Sequence, residues 1–238
     1  MTEMRISNSE ANLVANEVDI FDELLHLEGA TVLELGCGKA EKTRIVAKRA
    51  ASVLALEVDE KQLAKNLAIA DMVNVHFTHG GAEMIPASDS TFDVVLMFKS
   101  LHHVPLDLMD SAFSEIRRVL KPGGVAYISE PVYSGNFNEV LKLFHDEKAV
   151  REAAFAAETR AVASGQLALV KQKFFLHSMR FADFDEYETQ VIRVTHTEHR
   201  LSAETLDKVR AKFNEYMTRD GATFHMPIRV DLLRKAAA

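Results

Sequence analysis

Thr31-Val32-Leu33-Glu34-Leu35-Gly36-Cys37-Gly38-Lys39-Ala40 reads as an apolar strand running into a glycine turn, with helical periodicity resuming just beyond it. Val32, Leu33 and Leu35 suit a strand buried on both faces. Glu34 is a charge that such a strand tolerates at its end. Gly36 and Gly38 permit positive φ and a close backbone approach. A helix starting near Ala40 points unsatisfied N–H groups into the turn. The stretch is a binding loop for a nucleotide-like ligand at the carboxyl end of a strand.

Outward from this loop, apolar runs predict strands over 53–59, 73–77, 92–98 and 125–129, separated by helical patterns over 40–51, 61–70 and 108–120. An S-x-x-E spacing at Ser7–Glu10 predicts a helix from there to near Gly29. Alternation of strand and helix implies a doubly wound, mostly parallel sheet whose strand ends share one edge. Beyond Glu130 the pattern changes to one long helical stretch over 137–164, a strand over 174–181, a helix over 202–217 and a strand over 223–233. The expected architecture is α/β and Rossmann-like, with seven strands, an antiparallel closing strand and a helical lid insertion near 134–170. One domain is expected over 1–238, with its cofactor-binding half near 30–130.

Composition narrows the function classes. A chain of 238 residues is within the ~250 that one core supports. A net charge of −7 argues against a nucleic-acid partner, which needs a basic stripe. One cysteine makes no internal disulfide. No signal-peptide pattern opens the chain, and no apolar run reaches the roughly 20 residues of a membrane span. A cytoplasmic protein with no membrane partner is expected; its oligomeric state stays open.

The dinucleotide fingerprint needs glycine at position 41, where Glu41 stands and would repel a pyrophosphate. The P-loop pattern fails at the same position, since it too needs a glycine where Glu41 stands. A ligand with an adenosine and no phosphate fits better, S-adenosylmethionine above all. Glu57, closing the second strand, suits the two ribose hydroxyls.

The segment 32–40 resembles motif I of the class I S-adenosylmethionine-dependent methyltransferases. Gly80-Gly81-Ala82-Glu83-Met84-Ile85-Pro86 with Ser90-Thr91-Phe92-Asp93-Val94-Val95 is similar to the adenine-loop and fourth-strand segment of their menaquinone/ubiquinone methyltransferase-like branch. Ser100-Leu101-His102-His103-Val104 and Arg118-Val119-Leu120-Lys121-Pro122-Gly123-Gly124 are similar to that branch's next two signatures. The resemblance implies that Glu34, Gly36 and Gly38 line the methionine part of the cofactor. It implies that Glu57, with Val58 beside it, takes the ribose, and that Ala82 meets the adenine. Two positions depart from the pattern. The usual last glycine is Ala40, whose methyl is expected to narrow the loop or shift its φ. The usual acid before Ala82 is Gly81, for which Glu83 or a water substitutes.

Methyl transfer from a sulfonium needs alignment more than acid–base help; a base is needed only for a protonated nucleophile. The candidates at the strand ends are His102, His103, Glu130 and Tyr133. His102 and His103 read either as base and substrate orienter or as loop scaffolding. Lys99, at the ligand edge and grouped with the cofactor-lining residues, meets an anionic group such as a carboxylate on the acceptor, snorkels to solvent or bridges to Glu130. Phe137, Asn138, Phe144 and His145 are candidate lid residues or core. The cluster Arg193–Arg200 invites a metal reading at His196 and His199, but no H-E-x-x-H is present and no metal is expected. Cys37 reads as packing.

The expected function is methyl transfer to a nucleophilic N, O or S of a small polar metabolite. The alternatives are a protein or tRNA methyltransferase, or a non-catalytic S-adenosylmethionine-binding regulator.

Overall fold

The computed structural model describes residues 4–193 and 201–236. Its parallel strands are β1 (Thr31–Leu35), β2 (Ser52–Glu57), β3 (Val75–His79), β4 (Phe92–Phe98) and β5 (Leu120–Pro131). Helices α1 (Glu17–Leu24), α2 (Glu41–Ala47), α3 (Glu60–Leu67) and α4 (Met109–Val119) separate or precede them. Then follow α5 (Asn136–Leu141), α6 (Lys148–Ala163), β6 (Ala168–Phe181), α7 (Phe184–Tyr187), α8 (Ala203–Asn214), the two-residue β7 (Met217–Thr218) and β8 (Gly221–Arg234).

The sheet order is β3-β2-β1-β4-β5-β8-β6, with β7 paired to β8 off this path. Strands β1 to β5 pair in parallel, and β8 runs antiparallel to both β5 and β6. This is the doubly wound sheet with an antiparallel closing strand that the alternation of elements implies. Val32, Leu33, Val95 and Leu96 are all fully buried, because helices cover both faces of the central strands.

Two expectations fail, and a third position is decided in favour of core packing. The capping box at Ser7–Glu10 starts no helix: α1 begins ten residues later, capped by the Asn16 side chain, which accepts from the Asp19 N–H. Residues 13–15 instead hydrogen-bond to Leu176 on β6. β6 is the sheet's outer strand, and its unpaired backbone groups recruit the segment that would otherwise have coiled. The helical stretch 137–164 is two helices, broken at 142–147. There the Asp146 carboxylate accepts from the Lys148 N–H, and Glu147 stands at the N-cap of α6 with its carboxylate turned to Arg151 instead. The candidate lid residues Phe137 and Asn138 turn inward. Phe137 joins an aromatic cluster with Tyr187 and Phe224, and Asn138 accepts from Arg151.

α6 is fastened to β8 by a buried charge network. Arg229, 3% exposed, donates to Glu158 of α6 at 3.1 Å and to Asp231 at 2.5 Å, and its guanidinium lies 4.5 Å from the centre of the Phe155 ring. Burial holds both carboxyls above their usual range, since one cation serves two acids. Deleting the shared cation leaves both acids without their counter-charge. Arg229→Met should therefore lower the unfolding free energy in urea by about 3–5 kcal/mol, the cost of breaking a buried pair from one side. A loss near zero would mean that the network holds nothing.

Candidate active site

β1 ends in a turn gripped from β2. The Leu56 carbonyl accepts from both Gly36 (3.0 Å) and Cys37 (2.9 Å), which bends the chain sharply back. The Glu57 carboxylate accepts from Gly38 at 2.7 Å through one oxygen and from Val58 and Asp59, each at 2.9 Å, through the other. From α3, the Asn66 amide donates to the Gly38 carbonyl at 2.8 Å. On the β4 side, the Ser100 hydroxyl donates to the Leu35 carbonyl, and a Cβ at Gly36 would come within 2.8 Å of the Ser100 Cβ. Gly36 is thus fixed by sterics as well as by its φ of +76°. A Cβ at Gly38 would meet nothing, so the loop is open there.

Ala40 corrects one expectation. Its φ stays at +59°, in the left-handed region where glycine is usual, and its methyl is buried in the core below the loop. The loop keeps the glycine geometry and carries the strain, of order 1–2 kcal/mol. Gly81 is equally informative. The space its missing side chain would fill is taken by the Glu83 carboxylate, folded back over the backbone. Val58 and Met84, 60% and 78% exposed, leave apolar surface beside this edge, and Ala82 is buried.

Glu34 lies under the turn at 2% exposure, and its Oε2 has no hydrogen-bond partner among the described residues. Burial raises its pKa to about 8; Thr43 and Lys42 pull it down, and Glu57 pushes it further up. Burial also raises the Cys37 thiol to about 12, so Cys37 is a packing residue and not a nucleophile.

The carboxyl ends of β4 and β5 bring the other candidates together. Glu130, 2% exposed, accepts from the Leu101 N–H at 2.9 Å and pairs with His102 Nδ1 at 2.5 Å. Both oxygens are engaged, and the expected Lys99–Glu130 bridge does not form. His102 is buried; its ring centre lies 4.1 Å from that of the exposed His103. Burial pushes the His102 pKa down, but Glu130, with Glu147 behind the ring, outweighs this and raises it to about 9. Tyr133 lies beside Asp146, and burial followed by that carboxylate raises its hydroxyl, which makes it a poorer proton acceptor at neutral pH.

Lys99 has a φ of +58° and no ion pair among the described residues. Burial lowers its pKa; Lys42 adds to this, while Glu17 and Glu130 oppose it. His177 of β6 faces the same cations: burial, then Lys99 and Lys42, lower it to about 4. Sequence reasoning missed Lys42, His177, Glu147 and Arg151. Only the four-residue spacing of Glu147 and Arg151 offered a local signal. His196 and His199 lie outside the described residues; Arg193 pairs with Glu188. A cleft of about 550 Å³ at the opposite, amino ends of the strands carries one titratable side chain, His76, so the chemistry concentrates at the carboxyl edge.

Residues 33–128 match the family model of the methyltransferase domain. A Mycolicibacterium smegmatis protein assigned as an S-adenosylmethionine-dependent methyltransferase is 34% identical over 132 residues, 53% of this chain and 49% of its own. A demethylmenaquinone methyltransferase from Staphylococcus epidermidis is 32% identical over 131 residues, covering 49% of this chain and 54% of its own. The chain thus spans about half the length of the curated relatives it matches. A Bacillus halodurans protein assigned as a methyltransferase shares the fold at a TM-score of 0.65 and 17% identity, over 93% of this chain and 99% of its own.

The Glu34 carboxyl makes a pH prediction. Its folded-state pKa, about 8, stands above the usual 4.5. Its stabilising contribution is therefore complete below pH ~4.5 and is lost as pH rises towards 8. Glu34→Gln should flatten this fall in chemical denaturation series over that window, and an unchanged profile would place the titration elsewhere.

Proposed function

We propose that the protein, whose residues 33–128 match the family model of the methyltransferase domain, transfers a methyl group from S-adenosylmethionine to a nucleophilic N, O or S of a small, anionic metabolite. The cofactor supplies a methyl group already activated on a sulfonium. The protein's task is to bind it, align the acceptor and exclude water.

The residues present fit the cofactor. Glu34 Oε2, buried without a partner, suits an ammonium group of the kind the cofactor's methionine carries. The opening at Gly38 leaves the backbone accessible there. Glu57 spends three of its roughly four acceptor positions on loop N–H groups, so it would offer the ribose one strong acceptor and a rigid wall. Val58 and Met84 would flank the adenine, and the Glu83 carboxylate over Gly81 would accept from its amino group.

The observation that carries the anionic acceptor is Lys99. An ammonium held at the end of β4, without an ion pair among the described residues and near Lys42 and His177, favours a negative group beside it. A carboxylate on the acceptor meets that demand. His102, held by Glu130 through Nδ1 and facing Glu147 through Nε2, would fix the loop that carries the exposed His103, the candidate to take up a proton.

Two measurements test this. S-adenosylmethionine at a hundredfold excess over Kd should stabilise the folded chain by ~2.7 kcal/mol, and no shift would refute the cofactor assignment. Lys99→Met should raise the acceptor KM roughly tenfold or more, about 1.4 kcal/mol per decade, while leaving cofactor Kd within about twofold. A variant that loses the cofactor instead would remove Lys99 from the acceptor site.

A further inference from the structure

The break between α5 and α6 places Glu147 against the histidine pair, and the three side chains form a ligand set that no spacing in the sequence announces. The ligand atoms of His102, His103 and Glu147 lie within 4.8 Å of one another. His102 Nε2 and Glu147 Oε1 are 3.6 Å apart. That is long for a hydrogen bond and close to the roughly 3.4 Å that separates two tetrahedral ligands at about 2.0–2.1 Å from a metal. We propose that His102, His103 and Glu147 bind one divalent transition-metal ion, of the zinc type, at the carboxyl edge of the sheet.

Both buried ligands are already oriented for this. Glu130 occupies His102 Nδ1 at 2.5 Å, which turns Nε2 towards Glu147. A carboxylate on the far nitrogen of a ligating histidine is the usual outer-shell support; it fixes the tautomer and strengthens the donor. Arg151, one turn along α6, holds Glu147 Oε2 at 2.5 Å and itself donates to the Val132 carbonyl. This leaves Oε1 as the oxygen that faces the histidines. His145 Nε2 also approaches Oε1, at 3.0 Å, a contact that the ion would compete with. His103 is exposed, and its ligand atom already lies within 4.8 Å of the other two.

Two imidazoles and one carboxylate match the donor set of catalytic zinc sites, which keep an open position for water or substrate. Ser100, two residues before His102, buttresses Gly36, so the cluster stands next to the cofactor loop. An open metal position there would take an oxygen of the acceptor and hold it beside the methyl group. That use rests on the proposed methyl transfer; the metal site itself does not.

The test is titration of the full, chelator-stripped chain with Co²⁺ alone, followed by displacement with Zn²⁺. One Co²⁺ per chain is expected, with the visible bands of a low-symmetry site that vanish as Zn²⁺ enters. His103→Ala, at an exposed position that does not endanger folding, should weaken binding at least tenfold and alter the bands. Glu130→Gln, which keeps an oxygen for the Leu101 N–H but removes the carboxylate behind His102 Nδ1, should weaken it 10–100-fold. Circular dichroism confirms that both variants are folded. Absence of stoichiometric binding, or binding that His103→Ala leaves unchanged, overturns the site. Calorimetry with S-adenosylmethionine on the same sample separates the two readings. Metal uptake without cofactor binding refutes the methyltransferase reading and leaves the site standing; cofactor binding without metal uptake refutes the site alone.

Discussion

The grip of β2 on the turn after β1 is the constraint from which the rest of the site follows. One carbonyl, Leu56, and one carboxylate, Glu57, absorb the N–H groups of Gly36, Cys37, Gly38, Val58 and Asp59. A turn with that many donors would otherwise stay mobile or bury them unpaired, at about 1–3 kcal/mol each. Once the turn is fixed, Ala40 is held at a φ that alanine avoids, α2 starts directly beneath it, and Glu34 is sealed from water. The strain at Ala40 and the unpaired oxygen of Glu34 are local costs of a loop shaped for something other than its own stability.

The second organising interaction is at the end of β5. Glu130 ties the turn after β4 to the sheet through the Leu101 N–H and ties His102 through its ring. Glu147 and Arg151 extend this chain of charges into α6, which is fastened at its other end by Glu158 to Arg229 of β8. The helical insertion is therefore anchored at two points, one beside the site and one under the closing strand. Movement of α6 relative to β8 would have to break a buried pair, whereas residues 142–146 are exposed or half-buried.

Strands β1, β2, β4 and β5 were legible in the sequence because a buried parallel strand writes itself as an apolar run, whereas β3, only partly buried, lies two residues beyond its predicted 73–77. β4 is found at its predicted bounds. The loop at 36–40 and the acids at 34 and 57 were legible for a related reason: glycines and charges at strand ends are anomalies against an apolar background. The misreadings share a cause as well. Ser7–Glu10 carries a sound local helix signal, but it loses to the exposed edge of β6, which lies more than 160 residues away in sequence. The stretch 137–164 keeps helical periodicity across a break made by Asp146 and Glu147, whose partners are a local N–H and a distant histidine.

By itself the sequence determined the sheet, its parallel order and the loop where a nucleoside would sit, because burial pattern and turn chemistry are properties of neighbouring residues. Only the tertiary structure decided what the charged side chains do. Lys99 was expected to have Glu130 as one possible partner, but Glu130 was taken by His102; Glu147 was invisible until the helix broke beside it; Gly81 gained its missing acid from Glu83. A buried charge is governed by whichever opposite charge folding brings within a few ångströms, and that distance is set by packing across the whole chain.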